Sequence, residues 1–453
     1  MDGVSLLTQC PVTYRSSFTY RFKALDAGTH YWHGHTGMQR ADGLFGAIVV
    51  RQPPSHEPHL TLYDHDLSEH VILVHDWTKR STLPSYLAHH HNDGSNAPEL
   101  MLINGMGAHE EFKDGNSTIY TPRASFTVEG GKRYRFRVIS NAIGECPIQR
   151  VNPWNGATSN KDIEITRMRS ELADGNDGVL TSDPDKKFYL GMLFNQVNSL
   201  KYNNPDFYPL SVVVSNKRVF SPQINFISSN LPDSPPLSQY DDVPASSYCN
   251  ELTVQTDCHR EWCSCTHKLD VSLGDLVELV VIDQGLPWES SHPVHIHGFK
   301  FRAVAMGKLG TSASFQAVKD LDRVGNITRS TSRAPYKDSI TVPDGGYVVL
   351  RFRADNPGMW LFHCHVEAHA DIGMGVIIQV GEKSEFPKTP KNFPKCGSWN
   401  YEADDDDDDD DDNDDAHKNQ PILVQCLNPP NSAVTQTGLV TGLLVALVAS
   451  SGV

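Results

Sequence analysis

Trp360-Leu-Phe-His363-Cys364-His365-Val-Glu-Ala-His369, followed at Met374 by a thioether, gathers several metal-binding groups in one short run. A thiolate, an imidazole five residues on and a soft sulfur five further make a blue-copper ligand set that lacks one imidazole. On a strand, His363 and His365 share one face, roughly 6–7 Å apart along the chain, while Cys364 points the other way. One backbone segment can then serve a mononuclear copper through its sulfur and a multinuclear cluster through its two imidazoles. Structural zinc also takes Cys and His, but zinc leaves the adjacent His-Cys-His and the spaced Met374 without a reason.

The missing imidazole lies upstream. Ser291-His292-Pro-Val-His295-Ile-His297-Gly298 again sets two histidines at strand spacing, with His292 before them and a proline that fixes the backbone. A third stretch is joined to these by an internal repeat. Tyr20-Arg-Phe22-Lys-Ala24, Gly28 and His33-Gly-His35 match Leu350-Arg-Phe352-Arg-Ala354, Gly358 and His363-Cys-His365, each offset by 330 residues. Gly46-Ala-Ile-Val-Val50 and Gly375-Val-Ile-Ile378 follow the two copies. Such spacing indicates a duplicated domain, not a short solenoid repeat. Gly34 stands where the second copy has Cys364, so the first copy keeps cluster-facing histidines and lacks the sulfur.

The elements that must position these groups read as all-β. Arg133–Val138 and Val348–Arg353 alternate as half-buried strands do, and Leu276–Ile282 is the continuous apolar run of a sandwich interior. Asp344-Gly-Gly346 and Asn356-Pro-Gly358 supply turns between short strands. No long segment has helical periodicity. The length allows two or three domains.

These motifs, with Met1-Asp-Gly-Val, Thr8-Gln-Cys10-Pro, His30-Tyr-Trp-His33-Gly-His35-Thr-Gly and Leu102-Ile-Asn-Gly105, resemble the multicopper oxidases, in particular the laccase-like enzymes of arthropods. The likeness spans most of residues 1–400. It implies tandem cupredoxin-like Greek-key β-sandwich domains, three in the family, and oxidation of phenols or another one-electron donor such as Fe(II) coupled to reduction of O2 to water. It further implies type 1 copper ligands His292, Cys364 and His369 with Met374 axial. His295 would serve a type 2 copper, and His33, His35, His297, His363 and His365 a type 3 pair. Asp2 matches a carboxylate near the type 2 copper, and Glu367 one that helps deliver protons. Glu289, just before the second motif, is a candidate to assist a cationic or phenolic donor.

Two departures are visible. The family's first motif, His-Trp-His-Gly, falls before the Met-Asp-Gly with which these residues open, so six of eight cluster ligands are present. That count predicts a type 1 copper with a poorly assembled cluster. It keeps open a rival reading, a catalytically impaired copper-binding form. After Cys146-Pro-Ile-Gln149 a polar stretch, Val151–Asn160, stands where much of a second sandwich belongs. The expected division is a partial first domain over 1–55, an incomplete second over 56–185 and a third, carrying the type 1 site, over 186–400. An acidic linker over 401–437 and an apolar anchor over 438–453 follow.

Nine cysteines less Cys364 leave eight for bridges. Cys249, Cys258, Cys263 and Cys265 crowd one segment and are expected to staple it, with a zinc knuckle using His259 and His267 as the alternative. The family likeness pairs Cys10 with Cys146 and leaves Cys396 without its partner. Sequons at Asn116 and Asn326 fit a secreted protein. No leader is visible at Met1, since Val4-Ser-Leu-Leu-Thr8 is too short for one. Asp404–Asp412 with Asp414 and Asp415 hold eleven charges, and without them the net of −16 becomes −5. Such a run repels itself and reads as a disordered spacer, and nothing points to nucleic acid. Gly438–Val453 is apolar, short for a spanning helix, and resembles a GPI-attachment signal. Membrane attachment at an extracellular surface is therefore expected.

Overall fold

The computed structural model describes residues 2–86, 98–107, 111–142, 170, 178–195, 221–285, 291–397 and 450–451. The strands near the N-terminus are few and short. β1 (Gly28–His33) and β2 (Phe45–Val50) form a hairpin. β3 (Val71–Trp77) lies between β4 (Leu100–Ile103) and β7 (Arg137–Ser140), and β5 (Glu111–Asp114) pairs with β6 (Ser117–Tyr120). The expected strand at Arg133–Val138 begins only at Arg137, after a single bridge from Tyr134 to His65. The polar stretch 151–160, Cys146, Glu289 and the acidic and apolar tail segments lie outside the described residues, Ser450 and Ser451 excepted.

The larger unit is a two-layer sandwich. One layer contains β8 (Lys186–Asn195), β9 (Ser221–Ile224), β10 (Ile227–Ser229), β13 (Leu276–Asp283), β15 (Phe301–Lys308), β16 (Tyr336–Lys337) and β18 (Gly346–Arg353). The other contains β14 (His292–Ile296), β17 (Ser339–Val342), β19 (Gly358–Cys364) and β20 (Gly375–Val380). β12 (Cys263–Val271) joins them, pairing with β10 at one end and β20 at the other, and the two-residue β11 (Tyr248–Cys249) lies alongside it.

Strand period sets which row meets which layer. Val277, Leu279 and Val281 of β13 face inward with Val348, Leu350 and Phe352 of β18, against Trp360 and Phe362 of β19. β13 reads as continuously apolar because its outer face is also covered. Val280 and Ile282 pack under Val318 of helix α1 (Phe315–Arg323) and the loop carrying Ile327 and Ala334. On that face Glu278, fully buried, lies opposite Arg351 in the ladder and accepts hydrogen bonds from Arg351 at 2.6 Å and from Arg329 at 2.7 and 2.8 Å.

The internal repeat is a repeat of register. Gly28 pairs with Val50 and His33 with Phe45, while Gly358 pairs with Val380 and His363 with Gly375. Every partner is thus shifted by the same 330 residues. Both hairpins open on a glycine at positive φ, 142° at Gly28 and 152° at Gly358, a conformation that side chains oppose. The lead-ins differ: Leu350–Ala354 runs out of β18, whereas Tyr20–Ala24 forms no strand and leaves Phe22 exposed.

Two disulfide expectations resolve differently. Cys249–Cys265 and Cys258–Cys263 staple the loop-rich segment, and these oxidised pairs leave no thiolate for a zinc knuckle. The expected Cys10–Cys146 bridge is corrected, because Cys10 is bonded to Cys396, which has its partner after all. The reason is local packing. Val4 and Leu7 are buried against Met359, Leu361 and Ile377 on the outer face of β19 and β20, which carries Cys10 to the segment after the sandwich. Gln239 secures that junction through both the amide and the carbonyl of Cys396.

Candidate metal centre

β14 and β19 are neighbours, with Val294 opposite Cys364 and His295 opposite His363. The inward row of β19 runs Trp360, Phe362, Cys364, and its outward row runs Met359, Leu361, His363. Strand alternation therefore places Cys364 and His292 at the end of the sandwich interior, and His295 and His363 on the outer face. His297 and His365, just beyond the strand ends, continue the outer group, and His33 and His35 of the β1–β2 hairpin reach it from the opposite side.

In the interior group, Cys364 Sγ lies 3.6 Å from His369 Nδ1, and the His292 and His369 rings are 5.2 Å apart. His369 is carried by the short helix α2 (Glu367–Ile372). The loop closes on itself: the Cys364 amide donates to the Met374 carbonyl at 3.0 Å and the Met374 amide to the His369 carbonyl at 2.9 Å. Met374 is fully buried in the same core as Cys364. Phe194, at the end of β8, packs on both imidazoles with centroid separations of 5.5 and 5.0 Å.

The outer group holds His33, His35, His295, His297, His363 and His365. Adjacent rings are separated by 4.8 Å for His295–His297, 5.1 Å for His35–His363 and 5.3 Å for His33–His365. Among the described residues, His35, His297 and His363 bring ligand nitrogens within 4.8 Å of one another. A cavity of about 350 Å³ opens beside them, lined by His33, His35, His363, His365, Arg40 and Glu367 among others.

The imidazoles fit a metal role by how their nitrogens are used. Nδ1 of His33, His363 and His295 meets a backbone carbonyl at 2.8, 2.7 and 3.0 Å, and Nδ1 of His297 meets the Asp2 carboxylate at 2.8 Å. Such contacts fix ring and tautomer, as they do for metal-bound histidines. Nε2 of His33, His35 and His292 is buried without a hydrogen-bond partner, a costly state for a polar atom that a metal ion relieves.

Electrostatics agree. Burial, then the neighbouring His297, lowers His35 to about 3 and His295 to about 4. His33, His363 and His365 are pushed well below the ordinary histidine value by burial, with nearby Arg40 or other imidazoles adding to it. All five are neutral at pH 7 and ready to ligate. Burial pushes the Cys364 thiol up to about 12, so its thiolate needs a bound cation. Burial alone would raise Asp2, but the hydrogen bond and charge of His297 hold it well below the usual carboxylate range. Burial raises Glu367 to about 7, even though it receives the amides of Arg40 and Ala41 at 3.2 and 2.9 Å.

Twelve of the thirteen residues singled out in the sequence lie in or against these two groups, and Glu289 lies outside the described residues. Four further residues touch these groups. Tyr31 places its hydroxyl 3.2 Å from His365 Nε2. Arg40 donates to the His365 carbonyl at 2.9 Å and lies 3.8 Å from Glu367. Asp283 touches His292, and Phe194 covers both interior imidazoles. Asp283 alone left a signal, as a carboxylate on the inward row of an apolar strand.

A β-sandwich with a buried Cys-His-Met end and a polyhistidine outer face defines a copper protein of the cupredoxin type. Family models described as multicopper oxidase match residues 1–55, 68–145 and 231–384, together more than half of the chain, which belongs to that family of copper oxidoreductases. Laccase-2 of Fomitopsis schrenkii is 26% identical over 83% of this chain and 75% of its own length. L-ascorbate oxidase of Cucurbita maxima is 24% identical over 87% and 81%. The iron transport multicopper oxidase FET3 of Gibberella zeae is 24% identical over 83% and 64%. Among solved structures, the laccase of Botrytis aclada superposes with a TM-score of 0.60 at 18% identity, covering 86% of this chain and 76% of that one, a likeness of fold.

Proposed function

We propose that this chain is a laccase-like oxidase of the extracellular space or cell surface, taking electrons from phenols. The observation that carries this reading is the placement of Cys364 and its flanking histidines on opposite faces of one strand end, each face meeting its own ligand group. In this reading His292, Cys364, His369 and Met374 hold the type 1 copper, and His295 serves the type 2. His33, His35, His297, His363 and His365 serve the type 3 pair. Copper, when bound, supplies one-electron acceptance at the sulfur site and four-electron reduction of O2 to water at the cluster.

The residues divide the remaining work. Phe194 presents a partly exposed ring against His292 and His369, a face suited to an aromatic donor. Asp2 orients His297 through Nδ1. Glu367, half-buried on the cavity wall, would carry protons towards the outer group, with Arg40 holding it there. Three disulfides among the described residues and exposed sequon asparagines at 116 and 326 support an extracellular setting with glycans. A GPI anchor over 438–453 and the division at residues near 55, 185 and 400 complete the proposal.

Oxygen uptake by the copper-loaded chain tests it, with a diphenol, ascorbate and Fe(II) offered separately. The expected result is the highest kcat/KM with the diphenol, and a reduced value in Glu367→Gln with unchanged colour. Turnover with Fe(II) alone would overturn the donor assignment. Colour without uptake from any donor would mark the chain as copper-binding only.

A further inference from the structure

We infer that Tyr31 is a copper ligand, its phenol oxygen completing a metal position with His33 and His365; this rests on reading the outer group as a copper cluster. Among the described residues, His35, His297 and His363 are the one set of three His, Cys, Asp or Glu side chains whose donor atoms lie within 4.8 Å of one another. His33 and His365 form a separate pair, with ring centres 5.3 Å apart. Nε2 of His33 is buried without a hydrogen-bond partner. Two neutral imidazoles hold a divalent ion weakly, and an anionic oxygen beside them would offset part of its charge.

Tyr31 supplies that oxygen from the same strand. It lies two residues before His33 on β1, so strand alternation turns both side chains to one face. Tyr31 is buried, with its ring stacked on that of His33 at 5.1 Å and 6.3 Å from that of His365. Its hydroxyl stands 3.2 Å from Nε2 of His365. Donor atoms each about 2 Å from one metal ion are roughly 3 Å apart, so this separation suits two ligands on one ion as well as it suits a hydrogen bond. Without metal, hydroxyl and imidazole satisfy each other. Once Nε2 holds a copper ion its lone pair is taken, and the phenol oxygen turns to the ion. Binding breaks the O–H bond, releases the proton to solvent and forms the oxygen–copper bond, with no change of oxidation state. Mixed nitrogen and oxygen donors suit Cu(II).

The test is copper content, visible absorption and resonance Raman of the Cu(II)-loaded full chain carrying Cys364→Ser, with and without Tyr31→Phe. The serine removes thiolate absorption, so a phenolate-to-copper band stands alone. The expected result is such a band with tyrosinate ring vibrations in the parent, and its loss in Tyr31→Phe together with one copper per chain. Phenylalanine keeps the stacked ring, and a hydroxyl with a merely structural role would give no tyrosinate signature. The parent spectrum answers the question even if the Tyr31 variant does not fold. Copper in the outer group without tyrosinate vibrations would overturn the inference and leave the cluster reading standing. A signature that survives Tyr31→Phe would do the same. A Cys364→Ser chain that binds no copper at all would instead remove the cluster reading, and this inference with it.

Discussion

At the level of single residues, the two proposed ligand groups are held apart because chemistry and strand period coincide. Histidines at 295 and 297, and at 363 and 365, share faces by parity, while Cys364 falls opposite. Their partners were less legible, since a hydrogen bond to a ligand leaves no spacing rule. Asp2 was reached through family likeness, and Tyr31, Arg40 and Phe194 not at all. The geometry gives Asp2 a definite job, holding Nδ1 of His297 at 2.8 Å while Thr8 donates to its other oxygen at 3.0 Å. Asp2→Ala should weaken copper binding at the outer group by about 10–100-fold. A chelator competition that follows the copper retained per chain measures it, and the Cys364-dependent colour should be unaffected. Equal retention in variant and wild type would contradict the assignment.

At the level of elements, the sandwich rows were readable where one face is apolar and misleading where both are covered. Leu276–Ile282 betrayed burial but not that helix α1 lies on its outer side, because α1 is short and carries few apolar residues. Position 34 shows how an element excludes chemistry. A side chain there would approach Gln39 Cβ at 2.8 Å and Leu44 Cδ2 at 2.9 Å, so the first hairpin has no room for a cysteine. Phe362 fills the core row next to Cys364, and Phe362→Ala should cost about 3–5 kcal/mol in urea unfolding. Glu278 carries a pH signature. Burial raises it, but hydrogen bonds from Arg329, Lys187 and Arg351 prevail and leave it below its ordinary value. Its stabilisation is therefore present above the unfolded glutamate pKa of about 4.3, and is lost as pH falls through the depressed folded value. Glu278→Gln should lower Tm at pH 7 and flatten the acid limb of the Tm–pH curve. An unchanged limb would contradict that role.

For the molecule as a whole, the N-terminal segment belongs physically to the two-layer sandwich. Val4 and Leu7 pack on β19 and β20, Asp2 reaches His297, and Cys10 is bonded to Cys396 across 386 residues. No local pattern encodes a closure of that length, and so the pairing could not be read from cysteine spacing. Cys10→Ser should lower Tm and also loosen Asp2, reducing copper retention in the outer group more than at Cys364. In the proposed reading, one strand end offers sulfur to one copper and imidazoles to others. Its most direct test is the visible spectrum and bound copper of the loaded chain beside its Cys364→Ser variant. Loss of an intense thiolate-to-copper band together with loss of one copper is the predicted result. A variant that keeps both would contradict it.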